Sequence, residues 1–183
     1  GPLHIGHGRG AAVGSSLANL LEAAGYEVER EYYINDAGNQ MHNLALSVNY
    51  RYLELYGIET TFPENGYRGA DIIDTAKRIQ KKHGDTFLHM PEKERLEQFQ
   101  TIAKDEKLAA LKEDLEAFNC HFDVWFSEQT LHDSHQIEAA VEALEEKNYI
   151  YEEKGAKWFK STAFGDDKDR VVVRDNGIST YFA

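Results

Sequence analysis

Residues 1–24 read GPLHIGHGRG AAVGSSLANL LEAA, and the order of residue types in them decides the fold class. Gly1 to Gly10 is a glycine-rich loop, and from Ala11 to Ala24 the residues Val13, Leu17, Leu20 and Leu21 recur at helical spacing until Gly25 stops the helix. Glu27 to Ile34 then alternates charged and apolar residues, as a strand does, and runs into the turn-prone Asn35-Asp36-Ala37-Gly38-Asn39. Loop, helix, strand and loop predict part of a βαβ unit, whose opening strand would precede Gly1.

Working outward, helical pattern resumes from Gln40 to Tyr56, and residues 57–69, with Pro63, Asn65-Gly66 and Gly69, read as a loop. Ala70 to Asn119 is charged and helical. Pro91 suits a helix first turn, and Leu96, Phe99, Ile102, Leu108, Leu111, Leu115 and Phe118 form an apolar stripe expected to be core. Cys120 to Phe126 returns to strand character. Ile137, Val141 and Leu144 mark a helix ending near Asn148, and short strands are predicted at 149–152, 157–161 and 171–174. Asp175-Asn176-Gly177 is a hairpin turn feeding a strand over Ile178 to Ala183. The result is two α/β pieces flanking a helical insert.

Composition narrows the function classes. The chain has 183 residues, and its 20 Lys+Arg against 32 Asp+Glu give a net charge of −12, which argues against a general phosphate-backbone binder. Cys120 is the sole cysteine, so neither a disulfide framework nor a four-cysteine zinc site is available. No apolar run approaches the ~18 residues of a membrane span, and no signal peptide opens the chain. A reducing cytoplasm without membrane attachment is the expectation. The chain begins without methionine and stops at Tyr181-Phe182-Ala183 inside an apolar run, which predicts a fragment.

The chemistry concentrates at His4-Ile5-Gly6-His7, set between glycines where a helix begins. A helix start offers free backbone N–H groups and a positive dipole end, and two imidazoles three apart add donors for the same polyphosphate. Gly6 lets a flat base approach the backbone, and Arg9 adds a cation. The pattern is neither a Walker loop nor a Gly-x-Gly-x-x-Gly fingerprint. Half of a metal site or plain exposed loop residues are the competing readings, but His42, His83 and His89 have no paired spacing with Cys or a second His, so no metal site is expected.

The block 1–10, followed by Tyr32-Tyr33-Ile34-Asn35-Asp36-Ala37-Gly38-Asn39-Gln40, resembles the catalytic core of bacterial class I arginyl-tRNA synthetases. So do residues 122–128 (FDVWFSE), 164–174 (FGDDKDRVVVR), Asp175-Asn176-Gly177 and Thr180-Tyr181-Phe182-Ala183. The likeness is weakest over 58–119. His-x-Gly-His is shared by class I synthetases and related nucleotidyl transferases, whereas the 35–40 and 166–170 blocks point to the arginine enzyme.

The resemblance implies an α/β chain: a partial Rossmann-type nucleotide-binding fold (1–57 and 120–183) interrupted by a mainly helical connective insertion (58–119). It implies a parent ligase that activates arginine with ATP and Mg2+, holds no tightly bound cofactor, and passes the arginyl group to its tRNA. The fragment alone is expected to be inactive, and a monomer is compatible with the sequence. His4 and His7 would be the catalytic donors, with Gly6 seating the adenine and His7 also reaching arginine. Glu128 and Tyr181 would bind arginine, the acid meeting the guanidinium fork. Asn35, Asp36 and Asn39 would form an active-site loop. Against these stand an ordinary surface acid for Glu128, a strand-packing aromatic for Tyr181, and turn formation for Asn35, Asp36 and Asn39. Trp125, Trp158 and Phe159 are read as core, and Lys77, Arg78, Lys81 and Lys82 as a solvated helix face rather than an RNA contact. Two rival functions remain, a small His-x-Gly-His nucleotidyltransferase and a non-catalytic RNA- or protein-binding module.

Overall fold

The computed structural model describes residues 2–183; Gly1, the first residue of the glycine-rich stretch, lies outside the described residues. The chain forms two compact units, one ending at Phe126 and the other running Ser127–Ala183.

In the first unit, α1 (Ile5–Ala23) precedes β1 (Glu31–Ile34), α2 (Asn39–Glu54), α3 (Ala70–His83), a short 3-10 turn, α4 (Glu92–Ala117) and β2 (Val124–Ser127). The helix after the glycine-rich stretch therefore begins at Ile5, not Ala11, because the His4 side chain caps it and draws Gly6, Gly8 and Gly10 into its first turns. The strand expected from Glu27 is confined to 31–34. Its neighbour is β2, and the contacts keep one offset: the Arg30 carbonyl accepts the Asp123 N–H at 2.8 Å, Tyr32 stacks on Trp125 and Tyr33 on Phe126. A constant offset means that the two strands run parallel, the arrangement a βαβ-type chain requires.

The apolar core of this unit lies among α2, α3 and α4. Val48, Tyr52, Ile72, Ala76, Ile79, Phe87, Phe99 and Ala103 are buried together, so α2 shares its interior with both helices of the 58–119 stretch. Phe118 departs from the expected stripe: α4 ends at Ala117 and the ring is 53% exposed. Helix ends follow the sequence closely. Gly25, Asn119 and Asn148 all take positive φ, and the next residue's N–H returns to the preceding turn: Tyr26 to Leu21, Cys120 to Leu115 and Tyr149 to Leu144. Left-handed closure of this kind favours glycine or asparagine.

The second unit contains α5 (Gln129–Asp133), α6 (Gln136–Glu146) and an antiparallel sheet of β3 (Ile150–Glu153), β4 (Ala156–Phe159) and β5 (Arg170–Val173) in that order. Ile150 pairs with Phe159 and Glu153 with Ala156 around the Lys154-Gly155 turn, where both residues have positive φ as a two-residue hairpin requires. The strand expected over 178–183 is reduced to a single bridge between Val173 and Ser179, after which Thr180 turns the backbone.

Candidate active site

His4 sits at the N-cap of α1 and His7 at its third position, and together they form a reciprocal cap. His4 Nδ1 accepts the Gly6 N–H at 3.1 Å, while His7 Nδ1 accepts the His4 N–H at 3.2 Å. The rings lie 3.8 Å apart between centroids. In each neutral ring the accepting Nδ1 carries no proton, so the proton sits on Nε2. Two exposed imidazoles thus present N–H donors beside the positive end of α1. Gly6 has a local reason beyond ligand access: a Cβ there would lie 2.9 Å from His4 Cε1 and displace the capping ring.

The rest of α1 is weakly anchored. Ala18 is its one buried residue, whereas Val13, Leu17 and Leu20 are more than half exposed. Arg30 compensates by reaching back from the β1 approach to bind Glu22 through two nitrogens at 2.7 and 3.0 Å, and Asn19 at 3.0 Å. Gly6 and His7 border a cavity of about 520 Å³ between α1 and the strands, also lined by Arg30, Tyr32 and Phe122.

The loop after β1 holds Asn35, Asp36 and Asn39. Asn35 and Asn39 are exposed, but Asp36 is only 4% exposed and its carboxylate lies 3.5 Å from Lys104 Nζ of α4. Burial of a charge paired with a lysine exceeds what a simple turn former needs. Asn35 and Asp36 line a second cavity of about 480 Å³ with Gln40 and Lys104. Tyr32 borders both cavities, whereas of the two histidines only His7 borders the first and neither borders the second. Lys104 was not legible as a site residue, because nothing local to it in the sequence marks its partner.

In the second unit, Glu128 stands at the N-cap of α5. β2 ends at Ser127, and Glu128 takes helical backbone angles at the start of α5 with its side chain partly exposed, 4.0 Å from His132 Nε2. Tyr181 is 93% exposed, its ring edge-on to Phe182, so it is not packed in a strand. Between them the 166–170 block folds into a hydrogen-bonded loop. Arg170 grips Asp166 at 2.7 and 2.8 Å and Asp167 at 2.9 Å. The Arg170 guanidinium holds the Asp166 carboxyl far below the usual carboxylate range, and the Thr162 hydroxyl and N–H lower that of Asp169.

Among the described residues, no group of three or more His, Cys, Asp or Glu side chains is disposed to hold a metal ion, and no helix is long and apolar enough to cross a membrane. Lys77, Arg78, Lys81 and Lys82 lie on an exposed face of α3, Arg78 paired with Glu106. Trp125 stacks on Tyr32 at 4.7 Å within the strand layer.

A parallel-strand α/β layer with a histidine-capped helix N-terminus defines a Rossmann-like domain of the class I synthetase type. The model of the family described as tRNA synthetases class I (R), catalytic domain, matches residues 1–183, and the chain belongs to that family. It is 56% identical over 183 residues to an arginine–tRNA ligase of Carboxydothermus hydrogenoformans and 55% identical over 181 residues to that of Bacillus subtilis. Those alignments cover 100% and 99% of this chain but 33% of each relative, so the chain spans about a third of their length. A solved arginyl-tRNA synthetase structure from Campylobacter jejuni superposes with a TM-score of 0.87 at 38% identity, covering all of this chain and 40% of that one. The arginyl-tRNA synthetase of Plasmodium falciparum shares the fold, with a TM-score of 0.63 at 14% identity over 97% of this chain and 30% of that one.

Proposed function

We propose that this chain is catalytic-domain sequence of an arginine–tRNA ligase, and that the parent joins arginine to ATP as arginyl-adenylate before passing the arginyl group to tRNA. The observation that carries the reading is the pair of Nε2 donors fixed by the His4–His7 cap, in a chain matched end to end by the family. Attack of the arginine carboxylate on the α-phosphorus of MgATP gathers negative charge on the phosphoryl oxygens as pyrophosphate leaves. Donors already aimed at that charge lower the barrier without reorganising. His4 and His7 supply them, the α1 dipole adds to them, and Gly6 seats the adenine. ATP with Mg2+ enters as substrate, with no resident cofactor.

Arginine recognition is assigned to Glu128 and Tyr181, with His7 at the reacting end. A carboxylate held for a guanidinium rejects neutral amino acids because its charge would be left unpaired. Asn35, Asp36 and Asn39 form the loop beside the nucleotide end, and 58–119 is the connective insertion. The compartment is the cytoplasm. The test is pyrophosphate exchange by the full-length parent in the presence of tRNA. Exchange that depends on arginine and collapses in His7→Ala at saturating ATP and arginine supports the assignment, and an unchanged rate rejects it.

A further inference from the structure

Asp36 is buried in the loop between β1 and α2, beside the buried Ala37, while Asn35 and Asn39 are exposed. Its N–H closes a tight turn onto the Ile34 carbonyl at 3.0 Å. α2 then begins behind Gly38, and no side chain among the described residues caps that start. The fixed points of the loop therefore include a turn and a carboxylate withdrawn from water. Three cations border the cavity that this loop shares with α4, and their partners differ. Lys107 is committed to Asp71, 2.8 Å from its carboxylate and 3.2 Å from its carbonyl. The Arg68 guanidinium lies 4.3 Å over the Phe62 ring. Lys104 Nζ faces Asp36, 3.5 Å from Oδ2. The backbone that carries Lys104 is firmly held, since Ala103 beside it and Phe99 one turn earlier on α4 are fully buried in the core with α2 and α3.

A carboxylate withdrawn from water must be met by a cation, take up a proton or return to solvent. With Lys104 in place the first course is open. Without it, a protonated Asp36 would no longer be drawn toward α4, and an ionised one would swing out to water and carry the adjoining Asn35 with it. We propose that Lys104 is a positioning residue of the catalytic site: its ammonium holds the Asp36 carboxylate and thereby fixes Asn35 and Asn39 beside the nucleotide end. The 58–119 stretch then supplies a working part of the site as well as a connection. The proposal rests on the reading of 35–39 as an active-site loop, and adds that the order of this loop depends on a cation from α4. Misplacement by about 1 Å, even from a cause outside the chemistry, costs about 10²-fold in rate. Because Lys104 acts through Asp36, removing the Asp36 charge should remove the need for the lysine.

The test uses the full-length parent with Lys104→Met, Lys104→Arg, Asp36→Asn and the double variant Asp36→Asn with Lys104→Met. Lys93→Met, at an exposed lysine of the same helix, is the control. Two readouts are taken: arginine- and tRNA-dependent pyrophosphate exchange, and amide hydrogen exchange of the 35–40 peptide, which needs no turnover. Lys104→Met should lower kcat about 10²-fold while KM for ATP and for arginine stay within about threefold. It should also speed hydrogen exchange over 35–40 about tenfold and leave the core stretch 72–79 unchanged. Lys104→Arg should restore both readouts, and in the Asp36→Asn background Lys104→Met should add no further change to either. Should Lys104→Met fail to fold, the double variant, which buries no unpaired charge, carries the test, and it must match Asp36→Asn. An unchanged kcat with only a lower urea midpoint, an equal loss with and without the Asp36 charge, no recovery in Lys104→Arg, or an equal effect in Lys93→Met would each overturn the proposal. Absence of arginine-dependent pyrophosphate exchange in the wild-type parent would instead strike the proposed function, and the hydrogen-exchange comparison would still report on the ion pair.

Discussion

The two nitrogens of His7 can be separated by mutation, because the structure gives them different tasks. Nδ1 accepts the His4 N–H and helps to start α1, while Nε2 is the outward donor. Asparagine places its carbonyl near the Nδ1 position and cannot reach as far as Nε2. Glutamine places its amide near Nε2 and leaves the His4 N–H without its acceptor. Loss of one preorganised donor to a developing phosphoryl charge costs about 10²–10³ in rate. Loss of a cap hydrogen bond costs about 1 kcal/mol of stability. In the full-length parent, His7→Asn is therefore expected to keep near-wild-type stability and to lower arginine- and tRNA-dependent pyrophosphate exchange by about 10²–10³ at saturating ATP and arginine. His7→Gln is expected to lose about 1 kcal/mol in urea unfolding and to retain exchange within about tenfold. Full exchange in His7→Asn would refute the donor role, and unchanged stability in His7→Gln would refute the cap's energetic part.

The α3–α4 contact makes a second case. Thr75 is fully buried, its Oγ1 2.6 Å from Glu106 Oε1, 2.9 Å from the Asp71 carbonyl and 3.3 Å from Lys107 Nζ. Thr75→Val keeps the shape and removes a hydrogen bond to a charged acceptor, so urea unfolding at neutral pH should show a loss of about 1.5–3 kcal/mol. Burial pushes the Asp71 and Glu106 carboxyls up, but Lys107, and Arg78 with Thr75, outweigh it and hold both below the ordinary range. Their stabilisation is present above the unfolded carboxylate range, near about 4, and is lost as pH falls through the depressed folded values. The gap between wild type and Thr75→Val should accordingly shrink in acid, and a gap independent of pH would count against the ionic part. Tyr52, fully buried and donating to the Gly84 carbonyl at 2.6 Å, has its phenol pushed up to about 12, chiefly by burial. Below pH of about 10, Tyr52→Phe should cost about 1 kcal/mol, a difference that fades as pH rises through about 12. Ultraviolet titration should show the variant short of one late-ionising tyrosine relative to the native protein, in which burial also raises Tyr32 and Tyr151.

Helix stops were legible because they depend on single residues: Gly25, Asn119 and Asn148 each meet a left-handed closure that few residues tolerate. Helix periodicity over 40–56 and 70–119 was legible for the same local reason. The burial of each face was not. Val13, Leu17 and Leu20 have the spacing of a core face and lie exposed in this chain, which spans about a third of its relatives' length, while the core of this unit is assembled by α2, α3 and α4. The strands shortened for a related reason: alternation over 27–30 marks strand propensity, but ladder hydrogen bonds need a neighbour, and β1 pairs with β2 along four residues. At the candidate site, the histidines and the 35–39 loop could be picked out by residue type. The burial of Asp36 against Lys104 arises from a contact between distant segments that no local spacing encodes.

The spacing of the histidine signature follows from helix capping as much as from phosphate chemistry. A reciprocal cap joins the N-cap residue to the third residue of the first turn, so two side chains that cap one another must stand three apart, as His4 and His7 do. The second position must be small enough to leave the first ring in place, and glycine meets this, since a Cβ on Gly6 would lie 2.9 Å from His4 Cε1. The position between is free: Ile5 is 91% exposed and bonds to neither ring. Each capping bond consumes an Nδ1 and so assigns the neutral ring's proton to Nε2, the atom to which the proposed function gives the phosphate. α1 carries Gly6, Gly8, Gly10 and Gly14, each costing about 0.5–1 kcal/mol relative to alanine, and buries one side chain, so the cap offsets part of a weak helix start while setting its chemistry. Changing the spacing would cost the helix start and the donor pair together, which is why neither can be altered alone by insertion or deletion, only by substitution within the ring positions themselves.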